Sequence, residues 1–224
     1  MASDAPNPVV APPHIHQLLS RLHSKFVEQE SALDRAVYET QGTTSFDDIM
    51  RDKFIALDQD KCQFVYQIAR MINAKHVVEA GTSFGVSTIY LALAVGQNDP
   101  NGGIVFATEK EESKIQIARE HWREAGKEVG RYIQLRHGDL LESLSEDLPE
   151  IDLVLLDIWA PLALPTLEVV QSKLRSGAVV IVDNTIGSKE AYTDLLTYLR
   201  SEGSAFSNLT VPYSNGLEVC VYHP

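Results

Sequence analysis

The chain has 224 residues, 44% of them hydrophobic and 22% charged, with 31 acidic against 19 basic side chains and a formal net charge of −12 at pH 7. That length suits a single α/β core, and the acidic surplus argues against recognition of nucleic acid through phosphates or adhesion to an anionic membrane, both of which need basic surface. No apolar stretch reaches the ~18–20 residues of a membrane-spanning helix, and residues 1–13 lack the basic and apolar regions of a signal peptide. Cys62 and Cys220 are far apart and in no metal-like spacing, as expected of reduced, buried thiols in a cytosolic protein.

Residues 1–13 hold four prolines and little that can pack, and read as a disordered tail. Residues 14–57 read as a helical cap. Within it, 14–38 carries one apolar stripe (Ile15, Leu18, Leu19, Leu22, Phe26), and Ser45 with Asp47 and Asp48 has the character of a new helix start. Residues 58–224 form the core. A helix over 60–73 turns Phe64, Val65, Ile68, Ala69 and Ile72 inward, and strict alternation of strand and helix follows. Strands are expected at 76–79, 103–109, 132–136, 151–157 and 178–183, with helices at 87–95, 114–125, 165–174 and 189–201. Strands at 207–212 and 217–222 close the chain, and Asn215-Gly216 between them is a hairpin signal. The result is a doubly wound, mostly parallel seven-stranded sheet of Rossmann-like type ending in an antiparallel hairpin.

In such a sheet, ligands gather outside the carboxyl ends of the strands. The first strand leads into Glu79-Ala80-Gly81-Thr82-Ser83-Phe84-Gly85-Val86-Ser87. Gly81 allows a sharp turn and Gly85 a close approach of ligand to backbone, although a glycine pair also suits a plain strand-to-helix turn. The dinucleotide fingerprint needs a glycine where Ser83 stands. An acid such as Glu79 at the end of a buried strand needs a polar partner, and a cationic amine or sulfonium suits it better than a pyrophosphate. Glu109 ends the second strand, where it can take both hydroxyls of a ribose or cap the following helix. Asp139 can accept from an adenine amino group or serve as an N-cap. Asp157 and Asp183-Asn184 end two buried, β-branched runs, so that two carboxylates and an amide oxygen face one crevice. Three hard oxygens suit Mg²⁺ or another divalent cation. Asp183-Asn184 also suits a simple turn.

Read in order, these positions describe S-adenosylmethionine lying over strands one to four. From about residue 57 onward the sequence resembles the catechol and caffeoyl-CoA type O-methyltransferases, a class I methyltransferase family. The resemblance rests on the 77–87 segment, the Glu109 strand, Asp157-Ile158-Trp159 and Val182-Asp183-Asn184. It implies that Glu79, Ser83 and Ser87 hold the methionine part of the cofactor, Glu109 the ribose, and Asp139 and Trp159 the adenine surroundings. Gly81, Thr82, Gly85, Lys110 and Asp157 complete the expected cofactor-binding set. It also implies a divalent metal on Asp157, Asp183 and Asn184, which would lower the pKa of a hydroxyl on a small, aromatic acceptor and orient it.

One position departs. The family's catalytic lysine lies three residues after the strand-four aspartate, and here that residue is Ala160. Candidate replacements as proton acceptor are the metal-bound system with water, Lys53, or a histidine of the first helix (His14, His16, His23). Ala160 also leaves room for a second reading, a cofactor-binding or regulatory protein that methylates nothing. A nucleotide-dependent oxidoreductase is disfavoured by Ser83 and Glu79. Phe206, Tyr213 and Tyr222 would line a substrate pocket or a homodimer seam.

Overall fold

The computed structural model describes residues 6–31 and 56–224. The two buried-charge clusters that matter for function sit where the strands end, so the sheet is the frame for everything below. Its strands are β1 (His76–Ala80), β2 (Ile104–Glu109), β3 (Ile133–His137), β4 (Ile151–Leu156), β5 (Leu174–Asp183), β6 (Phe206–Val211) and β7 (Leu217–Tyr222). They lie in the order β3-β2-β1-β4-β5-β7-β6. β1 to β5 pair in parallel, and β7 runs antiparallel to both β5 and β6. The order reverses between β1 and β4, and that reversal opens the crevice in which ligands of this architecture bind.

The helices among the described residues are α1 (Pro13–Ser31), α2 (Gln59–Met71), α3 (Val86–Asn98), α4 (Glu112–Ala125), α5 (Lys127–Gly130), α6 (Leu140–Ser143), α7 (Ala160–Gln171) and α8 (Thr193–Arg200). Successive strand residues feed opposite faces, as the period of two requires. Val77, Val105, Leu153, Leu155, Val179 and Ile181 pack with α1 to α4, whereas Val78, Phe106, Val154, Leu156, Val180 and Val182 pack with α7 and α8. Both faces are covered, which is why the parallel strands read as continuous apolar runs. No described helix is long and apolar enough to cross a membrane.

Three expectations change. Residues 6–12, assigned to a tail, pack on the domain: Val9 is buried, the Val10 N–H donates to the Tyr66 hydroxyl at 3.2 Å, and Gln97 donates to the Val10 carbonyl at 2.7 Å. One buried valine and two backbone hydrogen bonds outweigh the low packing capacity of the prolines. The helix expected at 165–174 begins at Ala160, because Pro161 falls in its first turn, where a missing N–H costs nothing. On α2, the most buried face is Lys61, Cys62, Val65, Tyr66 and Ala69, with Phe64, Ile68 and Ile72 packed at its flank. The stripe of α1 is buried as expected at all five positions. The expected helix start at Ser45 and the candidate Lys53 lie outside the described residues.

Candidate active site at the carboxyl edge of the sheet

β1 ends in a turn held open by three residues of positive φ: Gly81 at 90°, Ser83 at 49° and Gly85 at 76°. A Cβ on Gly81 would stand 2.1 Å from the Asp157 carbonyl oxygen, so the close approach of the β1 and β4 ends requires glycine there. A Cβ on Gly85 would stand 2.4 Å from Trp122 Nε1, whose N–H donates to the Gly85 carbonyl at 3.0 Å. Gly85 thus makes room for an indole of α4.

Glu79 is fully buried. Its carboxylate accepts from Ser87 Oγ at 2.6 Å, Thr88 Oγ1 at 2.6 Å and Thr82 Oγ1 at 2.8 Å. Burial pushes its carboxyl above the usual range, the three hydroxyls pull it back, and the nearby Glu109 pushes it further up. Among the described residues no lysine, arginine or histidine pairs with it. Fully covered, Glu79 presents no surface of its own and anchors three hydroxyls, and an uncompensated buried carboxylate favours a cation nearby. Glu109, half-buried, accepts from the N–H groups of Ser83 at 2.8 Å, Lys110 at 2.8 Å and Glu111 at 2.9 Å. It ties the β1 turn to the end of β2 and meets the start of α4, and since a carboxylate has about four acceptor sites these bonds do not exhaust it.

The other expected cofactor residues are scattered in character. Thr82 and Ser87 are buried in the Glu79 cluster, while Ser83 is half-buried and Lys110 exposed. Asp139 caps α6, accepting from the Leu141 N–H at 2.8 Å, which is the alternative raised for it. Trp159 lies just ahead of α7 with 39% of its surface exposed, at the rim of the crevice. The positive-φ turn, the half-buried Glu109 and the unpaired charge of Glu79 suit a nucleoside that carries a positive centre.

The β4/β5 side is built differently. Asp157 is half-buried, and among the described residues no hydrogen-bond donor pairs with its carboxylate. Asp183 is buried and accepts from Lys61 Nζ at 2.6 Å. The same ammonium lies 3.1 Å from Asp58 Oδ2, and Lys61 is only 1% exposed. Burial alone would lower the Lys61 pKa, but Asp183 and then Asp58 outweigh it and hold it above the ordinary value. Burial raises the Asp157 carboxyl well above its usual range, Asp183 adds to the rise, and Lys61 opposes it. Burial likewise raises Asp183 against the pull of Lys61. Asn184 takes φ 61° in a turn, its carbonyl accepting from the Ser188 N–H at 2.9 Å.

These residues do not fit the divalent metal expected on Asp157, Asp183 and Asn184, because an ammonium already shares the Asp183 carboxylate. Unit charges about 4 Å apart interact by about 4 kcal/mol at an effective dielectric of about 20, and a divalent ion would double that repulsion. Among the described residues, no three histidine, cysteine, aspartate or glutamate side chains converge as a metal centre would need.

The histidine candidates also move. His14 contacts the carbonyl of Ala125, the last residue of α4, at 3.2 Å, and so lies at the amino edge of the sheet, away from the crevice. His16 is paired with Asn7. His23 is a core residue, 3.0 Å from the Tyr90 hydroxyl, and its burial lowers its pKa to about 4. Ala160 opens α7 and carries no proton.

Lys61 was missed by sequence reading, although a signal existed. Positions 61, 65 and 69 share one helix face, so a lysine in register with Val65 and Ala69 marks a charge inside an apolar stripe.

A family profile for a methyltransferase domain matches residues 78–185. The chain is 27% identical over 139 residues to a catechol O-methyltransferase of Niastella koreensis, an alignment covering 59% of this chain and 59% of that one, so it spans less than two thirds of that relative's length. It is 26% identical over 182 residues to tricin synthase 1 of Oryza sativa subsp. japonica, covering 73% of this chain and 70% of that one. Among solved structures it is similar to the O-methyltransferase TomG from Streptomyces achromogenes, involved in tomaymycin synthesis and in complex with SAM, with a TM-score of 0.68, 20% identity, and coverage of 92% of this chain and 99% of that one. The matched segment and the fold agree: residues 78–185 carry a methyltransferase domain, in a chain similar to catechol O-methyltransferases and to solved O-methyltransferase structures.

Proposed function

We propose that this chain transfers a methyl group from S-adenosylmethionine to a hydroxyl of a small, aromatic acceptor. The observation that carries the reading is the pairing, across the β1/β4 crevice, of an acid-lined turn with a half-buried carboxylate. On the β1/β2 side, Glu109 offers its remaining acceptor sites to a ribose, while Glu79 supplies a negative field beneath the turn of residues 81–87. When bound there, S-adenosylmethionine supplies an electrophilic methyl group on a sulfonium. On the β4 side, Asp157 is the carboxylate placed to take a proton from the acceptor, since Asp183 is held by Lys61 and the carboxamide of Asn184 is not a base. Catalysis then rests on holding the two reactants in line, for which a rigid sheet edge is well suited.

An aromatic acceptor is supported by the apolar rim at the ends of β4 and β5. Trp159, Leu162 and Ile186 expose 39%, 38% and 55% of their surface there. Large apolar groups left open beside a polar crevice mark a binding surface.

Titration calorimetry with S-adenosylhomocysteine and NADH, followed by a panel of hydroxylated aromatics with a radiolabelled methyl donor, tests the proposal. Binding of the first nucleoside, none of the second, and label transferred to at least one acceptor are expected. A protein that binds neither nucleoside, or that binds S-adenosylhomocysteine yet labels nothing on a broad panel, is not this enzyme.

A further inference from the structure

We infer that Lys61 is the resident cation of this site, standing where the family would place a divalent metal, and that methyl transfer by this chain is metal-independent. The inference rests on the methyltransferase reading above, but its geometry stands apart from it.

The position of Lys61 is unfavourable on two counts. It lies in the first turn of α2, where the helix dipole disfavours a cation, and its side chain is almost completely covered. A residue that breaks local preferences needs a compensating interaction, and such conflicts concentrate at functional sites. Here the compensation is specific. The ammonium bridges Asp183, at the end of β5, and Asp58, just ahead of α2, at 2.6 Å and 3.1 Å. Lys61 and Asp183 are 122 residues apart, so the ion pair fastens the helix of the amino-terminal half to the edge of the sheet.

The charge pattern follows. Of the two acids that the ammonium contacts, Asp183 is covered and Asp58 is partly exposed to water, while Asp157, half-buried at the crevice, feels Lys61 only through its field. A fixed positive charge behind Asp183 supplies part of the field that a metal would bring to an acceptor oxygen, without open coordination positions and without exchange with solvent. In the transfer, the acceptor oxygen forms its bond to the methyl carbon as the carbon–sulfur bond breaks, the electron pair of that bond goes to sulfur, and the hydroxyl proton goes to Asp157. Lys61 is a positioning residue in this scheme. It touches Asp183 and Asp58 and sets the field in which Asp157 works.

The test uses the full chain and Mn²⁺ as a probe. Electron paramagnetic resonance titration of the wild type is expected to show no Mn²⁺ site tighter than millimolar. Initial methyl-transfer rates after EDTA treatment are expected to stay within two-fold of those with added Mg²⁺. Lys61→Ala removes the ammonium and frees Asp183, and is expected to tighten Mn²⁺ binding at least ten-fold. Stoichiometric Mn²⁺ binding by the wild type overturns the inference, as does a ten-fold loss of rate in EDTA that Mg²⁺ restores, or a folded Lys61→Ala that binds Mn²⁺ no better than the wild type. If Lys61→Ala does not fold, the wild-type titration and the EDTA comparison decide alone. Calorimetry with S-adenosylhomocysteine on the same samples separates the two readings: its failure removes the methyltransferase proposal, while the Mn²⁺ titration still decides the cation assignment.

Discussion

Two stretches of the same sheet edge neutralise their acids by opposite means. At the ends of β1 and β2, Glu79 is held by three hydroxyls and Glu109 by three backbone N–H groups, all neutral donors. At the end of β5, Asp183 is held by a buried ammonium. Neutral donors stabilise a carboxylate and leave its charge in place, so the first stretch keeps a negative field. An ammonium cancels the charge, so the second has little left to offer a metal. The same residue type at equivalent ends of neighbouring strands therefore carries different chemistry, set by its partner.

The comparison breaks most visibly if the ion pair is dismantled. Asp183→Ala leaves Lys61 charged and covered with only Asp58 for company, and loss of one partner of a buried pair costs about 3–5 kcal/mol. Urea unfolding should show that loss, and Lys61→Met combined with Asp183→Leu should recover most of it. A cost below about 1 kcal/mol in the single variant would mean the pair is far more hydrated than described.

Acid probes the helix layer that carries the lysine. His23 has a folded pKa lowered to about 4 from 6.5, mainly by burial. Between those values the unfolded chain binds a proton that the folded chain refuses, so stability falls as pH falls from 6.5 towards 4. The loss amounts to about 3 kcal/mol at about 1.4 kcal/mol per unit. His23→Gln should flatten that part of the stability profile, and an unchanged slope would assign the acid sensitivity to other groups.

Removing a neutrally held acid should act on the ligand more than on the fold. Glu109→Ala is expected to weaken S-adenosylhomocysteine binding by about 1.5–3 kcal/mol, the range for hydrogen bonds to a charged group. Calorimetry giving an unchanged Kd would remove Glu109 from the ribose site. The smallest effect belongs to Trp122→Phe, which loses the hydrogen bond to the Gly85 carbonyl, worth about 1 kcal/mol of stability. Its cofactor affinity should stay within two-fold, and a larger drop would return Gly85 to the ligand side of the turn.

What was legible in the sequence was local. The apolar stripe of α1, the unbroken runs of β4 and β5, and Asn215-Gly216 between β6 and β7 each follow from the period of burial or from turn chemistry within a few residues. Those patterns sufficed for the doubly wound sheet and for placing Glu79, Glu109, Asp157 and Asp183 at its carboxyl edge. They did not reveal which side chains would meet those acids. Gly85 makes room for an indole 37 residues away, and Asp183 meets an ammonium 122 residues away. Backbone preference and burial period are written in neighbouring residues, whereas the partner of a buried charge is whichever side chain packing brings within hydrogen-bond reach. Tertiary structure alone decided that.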